Sequence, residues 1–201
     1  TMPVAVFMPF YLSDILRMPP RIVGLMLAFG PATLAITAPV AGSLSDRIGS
    51  RFLTSIGLLT AAIGLLALRS LGPSASAANV AWRLVLASFG SAMFVSPNSS
   101  AVMGSVPRSD LGVAAGVVAL VRNLGMVCGI SIAGAVITTV QKSHAVTGEI
   151  TNASPVIARN LGFLAGLKAA FLVSAIILII ASLISAMRIR PGDREAFEKM
   201  Q

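Results

Sequence analysis

Charged residues are scarce in this chain. Of its 201 residues only 11% are charged and 56% are hydrophobic, and the mean hydropathy is +0.90. Soluble domains carry about 25% charged residues, and a soluble fold of this composition would lack the polar surface needed to cover itself. A bilayer removes that requirement, because its acyl chains solvate apolar side chains. Composition therefore predicts an integral membrane protein.

The residues that build chemical sites are also few. One cysteine, Cys128, and one histidine, His144, cannot form an internal disulfide or a Cys/His metal set. The sequence contains no phosphate-binding P-loop and no nucleophile elbow. One Trp and one Tyr offer little surface for base stacking, and the basic residues behind the net charge of +8 are dispersed between apolar runs, which argues against nucleic-acid binding. We expect no enzymatic activity, no metal and no cofactor.

Long uncharged runs are what the sequence has in abundance. A helix that crosses a membrane needs roughly 20 predominantly apolar residues. Five runs meet or approach this length, and only the fourth contains an internal charge, Arg122; the runs are 22–44, 52–68, 84–107, 111–140 and 169–187. They are too long and continuous for the strands of an outer-membrane barrel. A sixth run, 2–12, is too short to span, and we interpret it as a truncated helix.

The segments between the runs predict the domain layout. Short polar or small-residue turns at 45–51, 72–79 and 108–110 and a long connector at 141–166 separate the apolar runs. We predict an all-α, polytopic bundle of six transmembrane helices over residues 1–188, with the first helix truncated, and a tail over 189–201. The basic residues split evenly between the two sides of this layout, so charge alone does not decide the orientation.

Polar and helix-breaking residues predict which helices face an interior. The second predicted helix holds Pro31, the fourth holds Ser-Pro-Asn-Ser-Ser at 96–100, and the fifth holds Arg122. Such residues survive at membrane depth where protein or a water-filled cavity satisfies them. The third and sixth helices lack Pro, charge and Asn and are predicted to be lipid-facing or peripheral. The candidate cavity-lining residues, which include one from the first helix, are Tyr11, Pro31, Pro97, Asn98, Arg122 and Asn123.

Two features of the fifth predicted helix leave alternatives open. Its G-x-x-x-G pairs at 112–116 and 125–129 favour close packing by a neighbouring helix, because small residues four apart allow close approach. Arg122 either gates the cavity and repels a cation, or acts as a structural pin bonded to backbone carbonyls of a neighbour.

The turn between the second and third predicted helices carries a recognisable pattern. It reads GSLSDRIGSR from Gly42 to Arg51. Gly42 permits close packing of the helix end, and Gly49 permits a tight turn. Asp46 lies at a helix C-terminus, where the dipole disfavours an anion, so it requires Arg47, Arg51 or the positive N-terminus of another helix. An ordinary charged turn is the alternative interpretation.

This turn resembles the loop signature of the major facilitator superfamily, G-x-L-x-D-R-x-G-R-K, with Ser50 in place of the first of the two final basic residues. The segments FMPFYLSDILRMPPRIVGL, FVSPNSSAVMGSVP and GVAAGVVALVRNLGMVCGISIAGAV look like the last six helices of the fourteen-helix drug:proton antiporters. The resemblance covers the whole chain. It implies a carboxy-terminal six-helix half of a two-half fold, in which the first, second, fourth and fifth helices of each half line a central cavity. It also implies a cytoplasmic signature turn and tail and a bacterial plasma (inner) membrane location.

The resemblance implies a function as well. The family exports lipophilic, often cationic drugs against proton influx by alternating access. The expected partners are a small-molecule substrate, protons, the lipid bilayer and the missing amino-terminal half of the transporter. Two alternatives remain: a major facilitator carrier of a metabolite, such as an amino acid, a siderophore or an antibiotic intermediate, and a non-transporting truncated fragment.

Acidic residues bear on proton coupling. All seven lie outside the apolar runs or at their ends, and Asp14 is the one nearest a predicted cavity helix. Arg17 and Arg21 should keep Asp14 ionised. Arg122 stays charged and releases no proton. We therefore predict that the proton carrier lies in the missing amino-terminal half.

Overall fold

Six α-helices make up the described part of this computed structural model, residues 2–146 and 155–187. They are α1 (Met2–Phe10), α2 (Pro20–Ile48), α3 (Ser50–Arg69), α4 (Ala77–Met103), α5 (Leu111–Val146) and α6 (Pro155–Met187). A π-helical turn, Tyr11–Ile15, continues α1, and a 3-10 turn, Arg108–Asp110, precedes α5. The predicted all-α class is confirmed, and the predicted tail lies outside the described residues.

Five of these helices are long and apolar enough to cross a membrane. The candidate spans are Pro20–Ser45, Ser50–Arg69, Ala77–Met103, Arg108–Ser143 and Arg159–Met187. Four of the five predicted apolar runs fall within α2, α3, α5 and α6, and the run 84–107 overlaps α4 but extends four residues past its end at Met103. The remaining apolar helix, Met2–Ile15, is shorter than a span.

The long connector predicted at 141–166 is wrong in its extent. Helix α5 continues to Val146 and α6 begins at Pro155, and the residues between them lie outside the described part. Proline suits a first helical position, because the N–H that it lacks has no partner there in any case. A Cβ added at Gly166 would lie 2.8 Å from the Ile137 Cα, so α5 and α6 pack backbone to backbone beside this junction.

Helix α3 occupies the centre of the bundle. It packs along α4 and along α6, while α2 packs against α4 and α5 packs against α6. Half of the apolar span of α3 is buried. Within the described residues α3 is therefore not peripheral, whereas its exposed apolar residues Phe52, Leu59 and Ile63 are compatible with the lipid-facing alternative of the prediction. Lipid tails are as apolar as leucine, so the lack of polar residues cannot distinguish a lipid-facing helix from a central one.

Glycines set the close distance between α3 and α4. A Cβ added at Gly64 would lie 2.5 Å from the Ala87 nitrogen, and one added at Gly90 would lie 2.2 Å from the Ala61 nitrogen. Real Cβ atoms essentially never make such short contacts. The two backbones approach this closely only because both positions lack a side chain, which is a common device at helix interfaces in membranes.

Hydroxyl groups join α3 to α6 at the end of the bundle near the α2–α3 turn. Ser182 Oγ donates to the Ser55 carbonyl at 2.8 Å, Ser55 Oγ donates to Ser185 Oγ at 3.1 Å, and Thr54 Oγ1 lies 3.2 Å from Ser185 Oγ. We call these four residues the hydroxyl cluster. Interhelical hydrogen bonds in membranes are worth about 0.6 kcal/mol each, so the cluster modestly stabilises the α3–α6 pair.

The apolar core lies toward the opposite end, where α1 enters the bundle. Met8, Tyr11 and Leu12 are fully buried there, and the Tyr11 hydroxyl donates to the Gly72 carbonyl in the α3–α4 loop at 2.6 Å. Arg17 follows the π-helical turn and has a φ of +52°. The next residue, Met18, donates its N–H to the Leu12 carbonyl at 3.0 Å. A left-handed residue is a common helix terminator, although glycine usually occupies that position.

Candidate functional site

The signature turn reverses the chain with a single residue outside the helices. Helix α2 ends at Ile48, α3 begins at Ser50, and Gly49 between them has a φ of +90° and a ψ of 138°. The Gly49 N–H donates to the Ser45 carbonyl at 2.9 Å. Residues with a Cβ rarely adopt this backbone conformation, so glycine is what allows two spanning helices to be joined so tightly.

The other signature residues lie around this turn. A Cβ added at Gly42 would lie 3.1 Å from Ser96 Oγ, so α2 closely approaches the polar segment of α4. Arg47 is exposed. Arg51 Nη2 donates to the Ala186 carbonyl in the last turn of α6, where a cation is stabilised by the helix dipole. The Asp46 side chain lies outside the described residues, so its pairing with either arginine stays a prediction.

A polar surface formed by α4 and α5 contains four side chains within the candidate spans of the two helices. We call Asn98, Ser99, Arg122 and Asn123 the polar wall. Arg122 Nη2 donates to Ser99 Oγ at 3.4 Å, and Arg122 and Asn123 are exposed. Within residues 2–146 and 155–187, neither asparagine amide has a hydrogen-bond partner. The wall therefore presents several unused donors at membrane depth, which require water or a ligand.

The remaining cavity candidates separate into exposed and buried positions. Pro31 is exposed on α2. Tyr11 and Pro97 are fully buried among the packed helices, and the Tyr11 hydroxyl donates to the Gly72 carbonyl. The structure thus brings Arg122 to Ser99, the neighbour of Asn98 on α4, and places Tyr11 and Pro97 in the protein interior. A cavity-lining role for these residues stays a prediction.

Helix α5 is open where close packing was predicted. A Cβ added at Gly112, Gly116, Gly125 or Gly129 would meet no atom of the described residues within 4 Å. Val113, Val121 and Leu124 are among the exposed large apolar residues on the same half of the helix. The bundle described here therefore contributes no neighbour to either G-x-x-x-G pair.

Asp14, the acidic residue considered for proton coupling, is exposed in the π-helical turn. Its carboxylate accepts a hydrogen bond from Ser13 Oγ at 2.7 Å, and its backbone carbonyl accepts one from Asn160 Nδ2 at 3.2 Å. The bond from Asn160 joins the turn to α6. A role in coupling stays a prediction.

Sequence reasoning missed two groups. The first is Ser99, which accepts the hydrogen bond from Arg122. It was identified from the sequence only as one residue of the polar segment 96–100. The second is the hydroxyl cluster, for which a signal existed: Ser182 and Ser185 are three residues apart, so they share one face of α6. Contact between that face and α3 needs tertiary information, because α3 and α6 are far apart in sequence.

The helical bundle, its five candidate spans and its polar wall define a polytopic membrane protein. The sequence model of the Major Facilitator Superfamily matches residues 1–200. The chain therefore belongs to this transporter superfamily. Proteins of this superfamily are transporters of small molecules that act in a lipid bilayer.

Three curated relatives show the range of transporters to which the chain is similar. It is 35% identical to the uncharacterized transporter YebQ of Escherichia coli (strain K12) over 124 residues, 62% of this chain and 27% of the relative. It is 29% identical to the riboflavin transporter RibZ of Clostridioides difficile (strain 630) over 128 residues, 64% of this chain and 28% of the relative. It is 32% identical to the multidrug resistance protein Stp of Mycobacterium tuberculosis over 127 residues, 63% of this chain and 24% of the relative. The matched region thus spans less than a third of each relative's length.

Proposed function

We propose that the chain forms the carboxy-terminal half of a proton-coupled exporter of lipophilic or cationic drugs, which works by alternating access. The observation that carries this proposal is the polar wall: a guanidinium and two amides without a described hydrogen-bond partner lie within the candidate spans of α4 and α5. Polar groups at that depth mark substrate or ion paths.

The packing of the other helices supports the same mechanism. Alternating access requires a bundle that moves largely as one body against another. The glycine contacts between α3 and α4 and the hydroxyl cluster between α3 and α6 hold three helices together along the centre of the bundle. The polar wall on α4 and α5 would then move with this scaffold.

The proton carrier is proposed to lie in the amino-terminal half of the complete protein. In the candidate spans the only acidic residue is Asp110, two residues inside the edge of the α5 span. Proton relays in membranes use Asp, Glu or His within the spans. The described helices therefore offer a substrate surface but no obvious relay group.

Export can be tested with the protein expressed from its complete gene and reconstituted in liposomes. With a pH gradient imposed, we expect movement of the fluorescent lipophilic cation ethidium, which should stop when an ionophore collapses the gradient. Movement that is indifferent to the gradient would contradict proton coupling.

A metabolite carrier is the second candidate, favoured by the similarity to a riboflavin transporter. Riboflavin can be tested in the same liposomes. Gradient-driven movement of riboflavin without movement of ethidium would replace drug export by this alternative. Movement of neither compound under any gradient would leave the non-transporting fragment as the better description.

A further inference from the structure

Arg122 carries a permanent charge inside the α5 span without a counter-charge among the described residues. It lies about 21 Å along the helix from Arg108, where the α5 span begins, at 1.5 Å per residue. The side chain is exposed. A guanidinium at this depth is costly unless an anion, water or carbonyl oxygens compensate it. The candidate spans contain no carboxylate apart from Asp110 at the edge of α5.

The contacts of Arg122 leave most of its donors unused. A guanidinium has five N–H donors, and the described residues accept one bond from it, at Ser99 Oγ. No backbone carbonyl of the described residues accepts from Arg122, in contrast to Arg51, which donates to the Ala186 carbonyl. The structural pin considered for Arg122 is therefore not formed within this part of the chain.

The unused donors match one kind of ligand group. The planar fork of a guanidinium pairs with the two oxygens of a carboxylate, and such charge-assisted bonds are about twice as strong as neutral ones. The Ser99 hydroxyl beside it is a further donor. A lipophilic cation finds no opposite charge on this wall, whereas a carboxylate finds both a charge and several donors.

We propose that Arg122 and Ser99 form a carboxylate-binding site between the candidate spans of α4 and α5. The carboxylate belongs either to an acidic lipophilic substrate or to a side chain of the complete protein outside the described residues. The first source rests on the proposed transport function, and within it selects lipophilic compounds with an acidic group over cations as the substrates bound at Arg122.

The experiment measures binding by the detergent-solubilised protein expressed from its complete gene, with no gradient. Pyrenebutyrate is the acidic probe, and its methyl ester is the neutral probe of nearly the same shape. The variants are Arg122→Gln and Arg122→Lys, with Arg108→Gln as the matched control, because Arg108 is an exposed arginine in the turn before α5. Melting temperatures without probe are measured alongside.

If the carboxylate belongs to the substrate, we expect a loss of affinity for the acidic probe alone. Arg122→Gln should weaken binding of the acidic probe about 10- to 100-fold, the usual worth of a charge-assisted pair, and leave the ester unchanged. Arg122→Lys should recover most of the affinity, and Arg108→Gln should match the wild type. If Arg122→Gln is not produced, Ser99→Ala should show a smaller loss confined to the acidic probe.

If the carboxylate belongs to the protein itself, we expect a change in melting temperature and not in probe affinity. Both probes then bind to Arg122→Gln as to the wild type, but the ligand-free variant melts at a lower temperature and Arg122→Lys restores it. Equal weakening of both probes, or unchanged affinity and melting temperature in Arg122→Gln, would overturn the carboxylate site. Because binding needs no gradient, a failure to transport leaves these outcomes unaffected.

Discussion

Helices α3 and α5 are built from the same kinds of residue and have opposite surroundings. Both are apolar, uncharged over long stretches and rich in glycine. The apolar span of α3 is 50% buried, whereas that of α5 is 0% buried. The glycines of α3 face the backbone of α4, and those in the first half of α5 face no described atom. Similar residue composition therefore accompanies different burial and different helix contacts in α3 and α5.

The comparison teaches that a glycine acquires its role from its surroundings. Gly90 allows contact with a neighbouring helix, Gly49 allows a positive φ, and Gly125 meets neither requirement in the described residues. The same substitution, Gly→Ala, should therefore have three different effects on stability. Each can be measured as a change in the free energy of unfolding of the purified protein in detergent.

Gly90→Ala should have the largest effect. The added methyl group would lie 2.2 Å from the Ala61 nitrogen, so α3 and α4 must separate. Overpacking of this kind costs about 1–3 kcal/mol, and we expect a loss near the upper end because the obstacle is backbone, which yields less than a flexible side chain. Wild-type stability in Gly90→Ala would show that the α3–α4 interface is looser than described.

Gly49→Ala should have an intermediate effect, which arises from the backbone alone. Nothing lies within 4 Å of the added Cβ, but the φ of +90° disfavours any residue that has one. Strain of this kind costs about 1–3 kcal/mol. Transport and stability should therefore both fall in Gly49→Ala, while Ser50→Ala beside it should behave as the wild type; equal behaviour of the two variants would mean that the turn does not need glycine.

Thr54→Val should have a smaller effect, because it removes one member of the hydroxyl cluster while keeping the shape of the side chain. Thr54 Oγ1 donates to the Arg51 carbonyl at 2.9 Å and lies beside Ser185, which keeps its bond from Ser55. We expect a loss of about 0.6 kcal/mol. A loss of several kcal/mol would show that the cluster acts as one cooperative network.

Much of the fold could be predicted from the sequence. The uncharged runs located α2 to α6, because a span needs a fixed length of apolar chain. The order of packing could not be predicted in the same way. Helix α3 was expected to be lipid-facing or peripheral because it lacks polar residues, yet glycines 57 and 64 bring it to the centre against α4. A glycine contact depends on both helices, and a single sequence shows only one side of it.

In the candidate site too, the residues could be predicted from the sequence but their contacts could not. Arg122, Asn98 and Asn123 could be found because polar residues stand out in apolar runs. The contact between Arg122 and Ser99 depends on how α4 and α5 are oriented about their axes, and the glycine pattern of α5 gave no reliable information about that. Residue type thus identified the members of the polar wall, whereas tertiary packing determined which of them touch.

Gly125→Ala should have the smallest effect and the opposite sign. A Cβ at this position meets no described atom within 4 Å, and Gly125 has no positive φ. Neither the overpacking expected at Gly90 nor the backbone strain expected at Gly49 therefore applies. Alanine in a helix interior is favoured over glycine by about 0.5–1 kcal/mol, because glycine loses more backbone freedom on folding. We therefore expect a gain of about 0.5 kcal/mol in the protein expressed from its complete gene, with Gly116→Ala, an equally open position on α5, behaving alike. A clear loss in either variant would show that another helix of the complete protein packs against α5 as closely as α4 packs against α3, and the contrast between the two helices would then hold only for the described residues.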